Sequence, residues 1–199
     1  MSGIIGDNTG RGTGLIKATS VDVSRTLLNT ATTSSSANVT IDGHFANTDY
    51  KKFIIEIDHM DPASNAVYVR TVFRGGDPVA DLTASNYWHV LHGVYRTSGH
   101  GATSSGGNNA AYADLTQGFE ANAANAGYGT VIIHNAQSTS IHKVVESYWP
   151  AWGDSDEWTH RYSAATYETA ASTPMLGIKF YLSSGNFEDG VVFRTYGQR

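Results

Sequence analysis

Hydrophobic and polar side chains alternate with a period of two along much of the chain, which is the pattern of β-strands. In segment 67–73, for example, the odd-numbered positions form one largely apolar row and the even-numbered positions form another. The pattern predicts eight strands, at 38–45, 50–58, 67–73, 87–96, 130–135, 141–148, 175–182 and 191–196. Apolar residues nowhere keep helical spacing for three turns, so we expect no helical domain.

Many short strands separated by turns that contain Gly or Ser are typical of a β-sandwich. We therefore predict an all-β fold, a single jelly-roll-like antiparallel β-sandwich over residues 37–199. Residues 1–36 are predicted to be an extended N-terminal arm, because Gly, Ser and Thr dominate there. A disordered tail and an arm ordered by a neighbouring subunit both fit this composition. The apolar pairs Ile4–Ile5 and Leu15–Ile16 would be buried only in the second case.

Turn-forming residues predict the nature of two connections. The segment 58–65 is expected to join the strands on either side of it into a hairpin. The glycine-rich segment 98–109 is expected to be an exposed, flexible loop. Together with Tyr112 and Phe119, which we expect to be exposed, this loop belongs to the region 75–129. That region is expected to face a partner or to cover one end of the sandwich.

The composition removes several classes of function. The 199 residues include no cysteine, which excludes thiolate-bound zinc, iron–sulfur clusters, cysteine nucleophiles and disulfides. No apolar run approaches the roughly 20 residues of a membrane span, and residues 1–8 lack the features of a secretory signal. The net charge is −5 and the 13 basic residues are scattered, so we expect no nucleic-acid binding. Charged residues make up only 16% of the chain, which suits packing against other subunits, although secreted β-proteins share this composition.

Motifs of common enzyme classes are absent from the sequence. The string Gly10-x-Gly12-x-Gly14 is spaced like a phosphate-binding loop, but no strand is predicted before it and no helix after it. The Walker lysine motif, the G-x-S-x-G motif of α/β-hydrolases and the H-E-x-x-H motif of zinc proteases do not occur. We therefore predict a protein that is not an enzyme, and we assign it no catalytic residue and no cofactor.

Two histidine pairs and one acidic segment are the candidates for metal binding. His89 and His92 have opposite parity in a predicted strand, so their side chains should lie on opposite faces of the sheet. His134 and His142 would meet across a hairpin, but two ligands leave a site incomplete. The segment Asp154–Glu157 offers three carboxylates but lacks the remaining ligand pattern of an EF-hand calcium loop. We assign no metal site.

Trp149, Trp152 and Trp158 lie close together in the sequence. Aromatic rings with polar rims are favoured at recognition surfaces, so these side chains are a candidate platform for stacking sugars. The more common role of such rings is to close one end of a sandwich or to bury a subunit interface.

The C-terminal passage 175–197 carries a resemblance to a known family. It contains the strand Ile178-Lys179-Phe180, the turn Ser183-Ser184-Gly185-Asn186 and the final pair Tyr196-Gly197. These features resemble the terminal hairpin of jelly-roll virion proteins of tailed bacteriophages, especially those of cyanobacterial and marine hosts. The segments 129–135 and 141–145 look like the preceding strand pair of that family. The similarity covers roughly the last 75 residues, and no catalytic residue is carried over.

Proteins of this family serve as head decoration proteins or as tail fibre and receptor-binding modules. The resemblance implies a virion structural protein assembled in the host cytoplasm, and a capsid decoration (cement) subunit is the first expectation. A tail fibre or receptor-binding module that recognises host surface glycan is the alternative, and a soluble carbohydrate-binding or hydrolytic module is a third. The expected partners are the major capsid protein or other virion proteins. We also expect a closed homo-oligomer, with a trimer as the first expectation.

Overall fold

The computed structural model describes residues 25–96, 100–116, 118–122, 125–153, 157–168 and 173–199. In these residues the chain forms strands joined by turns, and no helix there is long and apolar enough to cross a bilayer. The strands are β1 Arg25–Thr32, β2 Asn38–Asp42, β3 Lys52–Met60, β4 Val69–Gly75, β5 Ala80–Asp81, β6 Tyr87–Arg96, β7 His100–Ala110, β8 Ala113–Asp114, β9 Gly127–His134, β10 Lys143–Gly153, β11 Glu157–Tyr167, β12 Gly177–Leu182 and β13 Val192–Gln198.

The strands form two antiparallel sheets. The larger sheet has eight strands in the order β1-β13-β3-β9-β10-β11-β6-β7. The smaller sheet has the order β2-β12-β4-β5, and β8 also pairs with β4. Each sheet buries one face against the other, as the alternation of apolar residues requires.

The strand partners define a jelly roll. β1 pairs with β13, β2 with β12, β3 with β9 and β4 with β8, and successive pairs in this series alternate between the two sheets. This is the arrangement of one long antiparallel ribbon wrapped into a two-sheet structure. Contacts of β13 with β3, and of β12 with β4, complete the sheets. The all-β, jelly-roll-like antiparallel sandwich predicted from the sequence is therefore confirmed.

Four further strands, which we call the extension, enlarge the larger sheet beyond β9 in the order β10-β11-β6-β7. β10 and β11 are inserted between β9 and β12 in the chain, whereas β6 and β7 are inserted between β4 and β8. The inner face of the extension packs on the segment around β8. There Phe119 meets Trp149 edge-on at 5.8 Å, and Ser147 Oγ donates to the carbonyl of Leu115 at 3.0 Å.

Aromatic contacts bind the two sheets to each other across a shared apolar core. Phe180 of the smaller sheet and Phe193 of the larger sheet have ring centroids 5.4 Å apart, and Phe73 and Tyr87 lie 5.7 Å apart. The hydroxyl of the buried Tyr87 accepts a hydrogen bond from the backbone N–H of Phe73 at 2.6 Å. Burial raises the pKa of Tyr87, so this hydroxyl remains protonated. The extension is thereby fastened to the smaller sheet.

Each of the eight predicted strands overlaps an observed strand, and the predicted hairpin that follows His134 is formed by β9 and β10. The two other predicted hairpins are wrong. β3 and β4 lie in different sheets, and so do β12 and β13. The connection 58–65 crosses one end of the sandwich, where the N–H of Ala63 donates to the carbonyl of Asn186 at 2.9 Å. A turn pattern shows where the chain reverses. Burial between the sheets decides which strands then pair.

The glycine-rich segment 98–109, predicted to be a loop, contributes most of the edge strand β7. Its glycines make room for side chains of β6 that lie across it. A Cβ on Gly101 would overlap the ring of Tyr95, and a Cβ on Gly107 would come within 2.7 Å of the ring of His89. Glycine is a packing requirement of this strand, although in a sequence it is typical of loops.

The expected exposure of two aromatic residues between positions 75 and 129 is also corrected. Phe119 is 2% exposed and lies in the core, because Gly127 leaves room for its ring. Tyr112 is only partly exposed, and the guanidinium of Arg70 lies 4.1 Å from its ring centroid. This region therefore supplies strands and core side chains as well as surface.

Part of the predicted arm belongs to the sandwich. Residues 25–32 form β1 at one edge of the larger sheet, where the register runs from Arg25 opposite Gln198 to Thr32 opposite Val192. The sheet therefore includes residues before position 37. The remainder of the predicted arm, residues 1–24, lies outside the described residues.

Gly129 in β9 should not tolerate an added side chain. A Cβ at this position would overlap the ring of Trp149, which is fully buried. We expect Gly129→Ala to lower the free energy of unfolding by about 1–3 kcal/mol, the usual effect of overpacking a core. Urea denaturation measures this change. Thr130→Ala, the next position and on the outer face, is the control, and equal stability of the two variants would contradict the packing.

Candidate functional site

The outer face of the extension presents a cluster of exposed apolar side chains. Six large hydrophobic residues, each between 43% and 55% exposed, form what we call the aromatic face: Trp88, Val90, Val94, Tyr148, Trp158 and Tyr162. They come from β6, β10 and β11, which the sheet brings together from separate parts of the chain. Single exposed hydrophobic residues are ordinary, but a contiguous group marks a recognition surface.

The strand register makes these residues direct neighbours. Tyr148 lies opposite Tyr162 in the β10–β11 pair. On the other side of β11, Val94 lies opposite His160 in the pairing with β6. Residues opposite each other on one face have their Cβ atoms about 5 Å apart. The aromatic face is therefore continuous across three strands.

Hydrogen bonds orient several of the rings. The indole N–H of Trp88 donates to Glu168 Oε2 at 2.8 Å. Tyr148 Oη and His160 Nε2 are hydrogen-bonded, and their rings meet edge-on with centroids 4.5 Å apart. Side chains that are already ordered lose little conformational entropy when a partner binds, so such rings are effective anchors.

The three tryptophans that stand out in the sequence do not form one platform. Trp152 and Trp158 are opposite each other in the β10–β11 pair, with ring centroids 6.1 Å apart. Trp149 lies in the core instead, where its indole N–H donates to Ser147 Oγ at 2.9 Å. Trp149 and Trp152 are three positions apart in one strand, so their side chains lie on opposite faces.

Three shallow hollows among the described residues flank the aromatic face. One, of about 570 Å³, is lined by Val94, Arg96, Trp158 and His160 together with two residues of β6 and β7. Another, of about 330 Å³, lies beside Trp88 and is floored by small side chains of β11. The third, of about 610 Å³, lies between Val90 and the glycine-rich part of β7. Of these three, the first alone combines an exposed ring with a cationic group and an imidazole.

The outer face of the extension is nearly neutral, in contrast to the net charge of −5 on the whole chain. Its described strands place one carboxylate there, Glu146 in β10, and one guanidinium, Arg96 in β6. Glu168, directly after β11, adds a second carboxylate beside Trp88. The remaining outward side chains of these strands are apolar, hydroxyl-bearing or imidazole groups. A partner would therefore bind this face mainly by apolar contact.

A partly buried polar cluster lies behind the aromatic face, between β4, β6 and β8. Arg70 Nε donates to Asp114 Oδ1 at 2.9 Å, and Asp114 Oδ2 lies 3.6 Å from His89 Nε2. Burial lowers the pKa of His89. The negative charge of Asp114 acts in the opposite direction, and the positive charge of Arg70 lowers the pKa further. The imidazole is therefore neutral near pH 7. The cluster joins the extension to the smaller sheet.

The outer face of the smaller sheet carries a network of four charged side chains. Arg74 donates to both carboxylate oxygens of Asp42, at 2.9 and 3.1 Å, and also to Asp81. Lys179 Nζ donates to Asp81 Oδ2 at 2.5 Å. Burial by itself would raise the pKa of Asp81, but its hydrogen bonds and charge interactions with Lys179 and Arg74 together lower it. These charges neutralise one another across β2, β12, β4 and β5.

The described residues contain no group of three or more side chains placed to hold a metal ion. His89 faces inward and His92 faces outward, as the alternation along β6 predicts. His134 lies 3.6 Å from Glu146, whereas His142 is exposed in the turn before β10. The structure therefore does not bring either histidine pair together as a site.

Two other candidates from the sequence fall largely outside the described residues. Of the acidic segment 154–157, only Glu157 is described, and its carboxylate lies 3.5 Å from Arg161. The string from Gly10 to Gly14 lies entirely outside.

Sequence reasoning missed most of the aromatic face, including Trp88, Tyr148 and Tyr162. An exposed tyrosine or tryptophan in a strand has the same pattern in the sequence as a buried one. A usable signal was present in β6, where Trp88, Val90 and Val94 make the outer row as apolar as the inner one. A strand that is apolar on both faces is typical of one covered on both sides.

No protein-family model matches the chain, and neither a curated protein nor a solved structure shows significant similarity to it. The resemblance to phage virion proteins therefore depends on the C-terminal residues quoted above.

The charge network predicts a pH-dependent contribution from Asp81. Because its pKa is lowered in the folded protein, Asp81 stabilises the fold above its unfolded pKa of about 4, and this stabilisation is lost as the pH falls through the folded pKa. We expect Asp81→Asn to lower the free energy of unfolding by roughly 1 kcal/mol at pH 7, because the substitution removes two partly exposed ion pairs.

Denaturation at a series of pH values checks this expectation. The difference in stability between the wild type and Asp81→Asn should be constant from pH 8 to about pH 5 and shrink below about pH 4. Asp49→Asn, which changes an exposed loop carboxylate, is the control. A difference that grows on acidification would contradict the assignment.

Proposed function

We propose that this chain is a non-enzymatic structural protein of a phage virion, most simply a capsid decoration (cement) subunit that stabilises the head surface. The aromatic face is the observation that carries the proposal, because it is an ordered, nearly neutral surface on a firmly packed framework. The jelly-roll fold supports a virion setting, since capsid proteins often have it. The C-terminal passage 175–197 supports the same setting by resemblance.

The size of the aromatic face favours a protein partner over a small ligand. Aromatic side chains present 150–250 Å² each, so the four rings that are nearly half exposed offer roughly 300–450 Å², to which two valines add. This is a large part of the ~800 Å² that one partner contributes to a standard interface. Trp and Tyr also dominate the binding energy of many interfaces. The major capsid protein or other virion proteins are the proposed partners.

Contacts between copies of the chain belong to the same proposal. Each copy carries a net charge of −5, so copies repel one another unless they meet through neutral surfaces. The aromatic face supplies such a surface. A closed homo-oligomer, with a trimer as the first expectation, is the proposed form on the particle.

A tail fibre or receptor-binding module that recognises host surface glycan is the second candidate. The hollow beside Trp158 favours it, because an exposed ring that can stack on the apolar face of a sugar lies next to hydrogen-bonding groups of Arg96 and His160. A glycan would occupy this corner alone. A protein partner would also cover Tyr162 at the centre of the face and Trp88 at its far end.

The location of the protein in the particle tests the main proposal. We expect mass spectrometry of separated heads and tails, with immunogold labelling of whole particles, to find the protein on heads in many copies. A location on tails alone would overturn the decoration role and support the receptor-binding module.

Substitutions in the aromatic face test how the protein attaches. Tyr162→Ser should weaken binding to heads that lack the protein by about thirty-fold, equivalent to ~2 kcal/mol for an interface anchor, without changing the melting temperature. Thr40→Ala, exposed on the smaller sheet, is the control and should bind like the wild type.

The same experiment separates the two candidates. If Trp158→Ala abolishes binding on a glycan array while Tyr162→Ser does not, the receptor-binding module is supported. Unchanged head binding by both Tyr162→Ser and Trp88→Ala would contradict attachment through the aromatic face.

A further inference from the structure

The outer edge of β7 is a second unpartnered feature of the extension, separate from its aromatic face. β7 pairs with β6 along one edge, and no strand in the described parts of the chain lies along its other edge. The register is regular from His100 to Gly107, and a bulge follows at Asn108 and Asn109. In this stretch of eight residues, alternate residues use their backbone N–H and C=O groups to pair with β6, and the residues between them direct theirs to the other edge.

Between His100 and Gly107, before the bulge, this edge lacks the features that normally prevent strands from pairing with other chains. Proteins protect edge strands with charged side chains, proline, bulges or short length. Residues 100–110 contain no Lys, Arg, Asp, Glu or Pro. The other sheet edges do carry such protection: β1 contains Arg25, the five-residue β2 ends in Asp42, and β5 is two residues long.

The side chains of β7 would let another backbone approach closely. On the outer face the positions next to the aromatic face are Ala102, Ser104 and Gly106, and all three are small and exposed. On the inner face, Gly101 and Gly107 are required by the rings of β6 that cover them. Packing within the chain explains the inner glycines, but it does not require small, uncharged residues on the outer face.

The neutrality of β7 favours a second copy of the same strand as its partner. When two identical strands pair antiparallel about a twofold axis, residues near the axis lie opposite their own copies. A charged residue there would face a like charge, which is destabilising. A pairing with a different protein would place no such restriction on the sequence of β7.

The contacts available to such a pair are sufficient for a specific interface. Eight paired residues form about eight backbone hydrogen bonds, within the 10 ± 5 of typical interfaces. Val90 and Val94, each about half exposed, lie beside Gly106 and Ala102 on the outer face. Pairing would bring the valines of both copies towards one another and bury apolar surface that is exposed in the single chain.

We propose that β7 pairs antiparallel with β7 of a second copy, about a twofold axis near Ser104, and joins the two eight-stranded sheets into one continuous sheet. The contact uses the edge of the extension and leaves most of the aromatic face open. It goes beyond the proposed virion function, and either proposal can fail alone.

The mass of the full chain in solution tests the pairing. Sedimentation velocity should show a concentration-dependent dimer, or an even-numbered assembly if other contacts add to it. Ser104→Lys should weaken this association on the order of thirty-fold, because two ammonium groups would meet near the axis. Asn38→Lys on β2 is the control, an exposed position of an edge strand in the other sheet that lies opposite Tyr181, and it should associate like the wild type.

A charge-swap experiment makes the test specific for a symmetric pair. Ser104→Lys and Ser104→Glu should each remain monomeric alone, and an equimolar mixture should recover the dimer. Circular dichroism and melting temperature confirm folding of each variant, and Ala102→Lys replaces Ser104→Lys if the latter unfolds.

Three results would overturn the pairing. The first is a wild type that stays monomeric at its highest soluble concentration. The second is an assembly that Ser104→Lys and Ala102→Lys leave unchanged, including a trimer that Tyr162→Ser disrupts, which would instead support contact through the aromatic face. The third is an open-ended polymer, since a twofold pair of β7 strands uses up the edge.

Discussion

The contact between the inner faces of the two sheets is the interaction on which the rest of the molecule depends. Phe180 against Phe193 joins the sheets within the jelly roll, and Phe73 against Tyr87 joins the smaller sheet to the extension. Phe119 against Trp149 also packs the inner face of the extension. Without these contacts, β10, β11, β6 and β7 would be a four-stranded sheet with two exposed faces. Because they bury one face, the other can be apolar and still remain ordered. The aromatic face is thus a consequence of how the inner face is anchored.

The sequence predicts individual strands well where apolar and polar residues alternate, and it predicts their partners poorly. β6 has the predicted bounds, whereas β11 was missed because polar residues, Thr159, Arg161 and Ser163, occupy its buried positions. Arg161 is accommodated there by its contacts with Thr103 and Glu157. β7 was missed because its glycines make room for rings on the neighbouring strand, whereas glycine in a sequence is typical of loops. Both errors arise from contacts between residues distant in sequence, which a local pattern does not contain.

The candidate site shows the same division. Trp152 and Trp158 stand out in the sequence and do lie on the outer face, but Trp149, close by in the chain, lies in the core. Parity within β10 was the available signal that separates them. Trp88 belongs to the aromatic face because β6 pairs with β11, and no turn or motif in the sequence indicates that pairing. A surface assembled from three strands becomes visible only when the order of strands in the sheet is known.

Because β1 pairs with β13, the resistance of the domain to an applied force depends on the direction of the force. Arg25 lies opposite Gln198, so the two ends of the described fold leave the sheet side by side. A force that pulls these ends apart would peel β1 away from β13, breaking the ladder one hydrogen bond at a time. A force applied through the faces of the sheets would be shared by the whole interior layer. A pull on the two ends therefore meets less resistance than a load spread across the faces of the sheets.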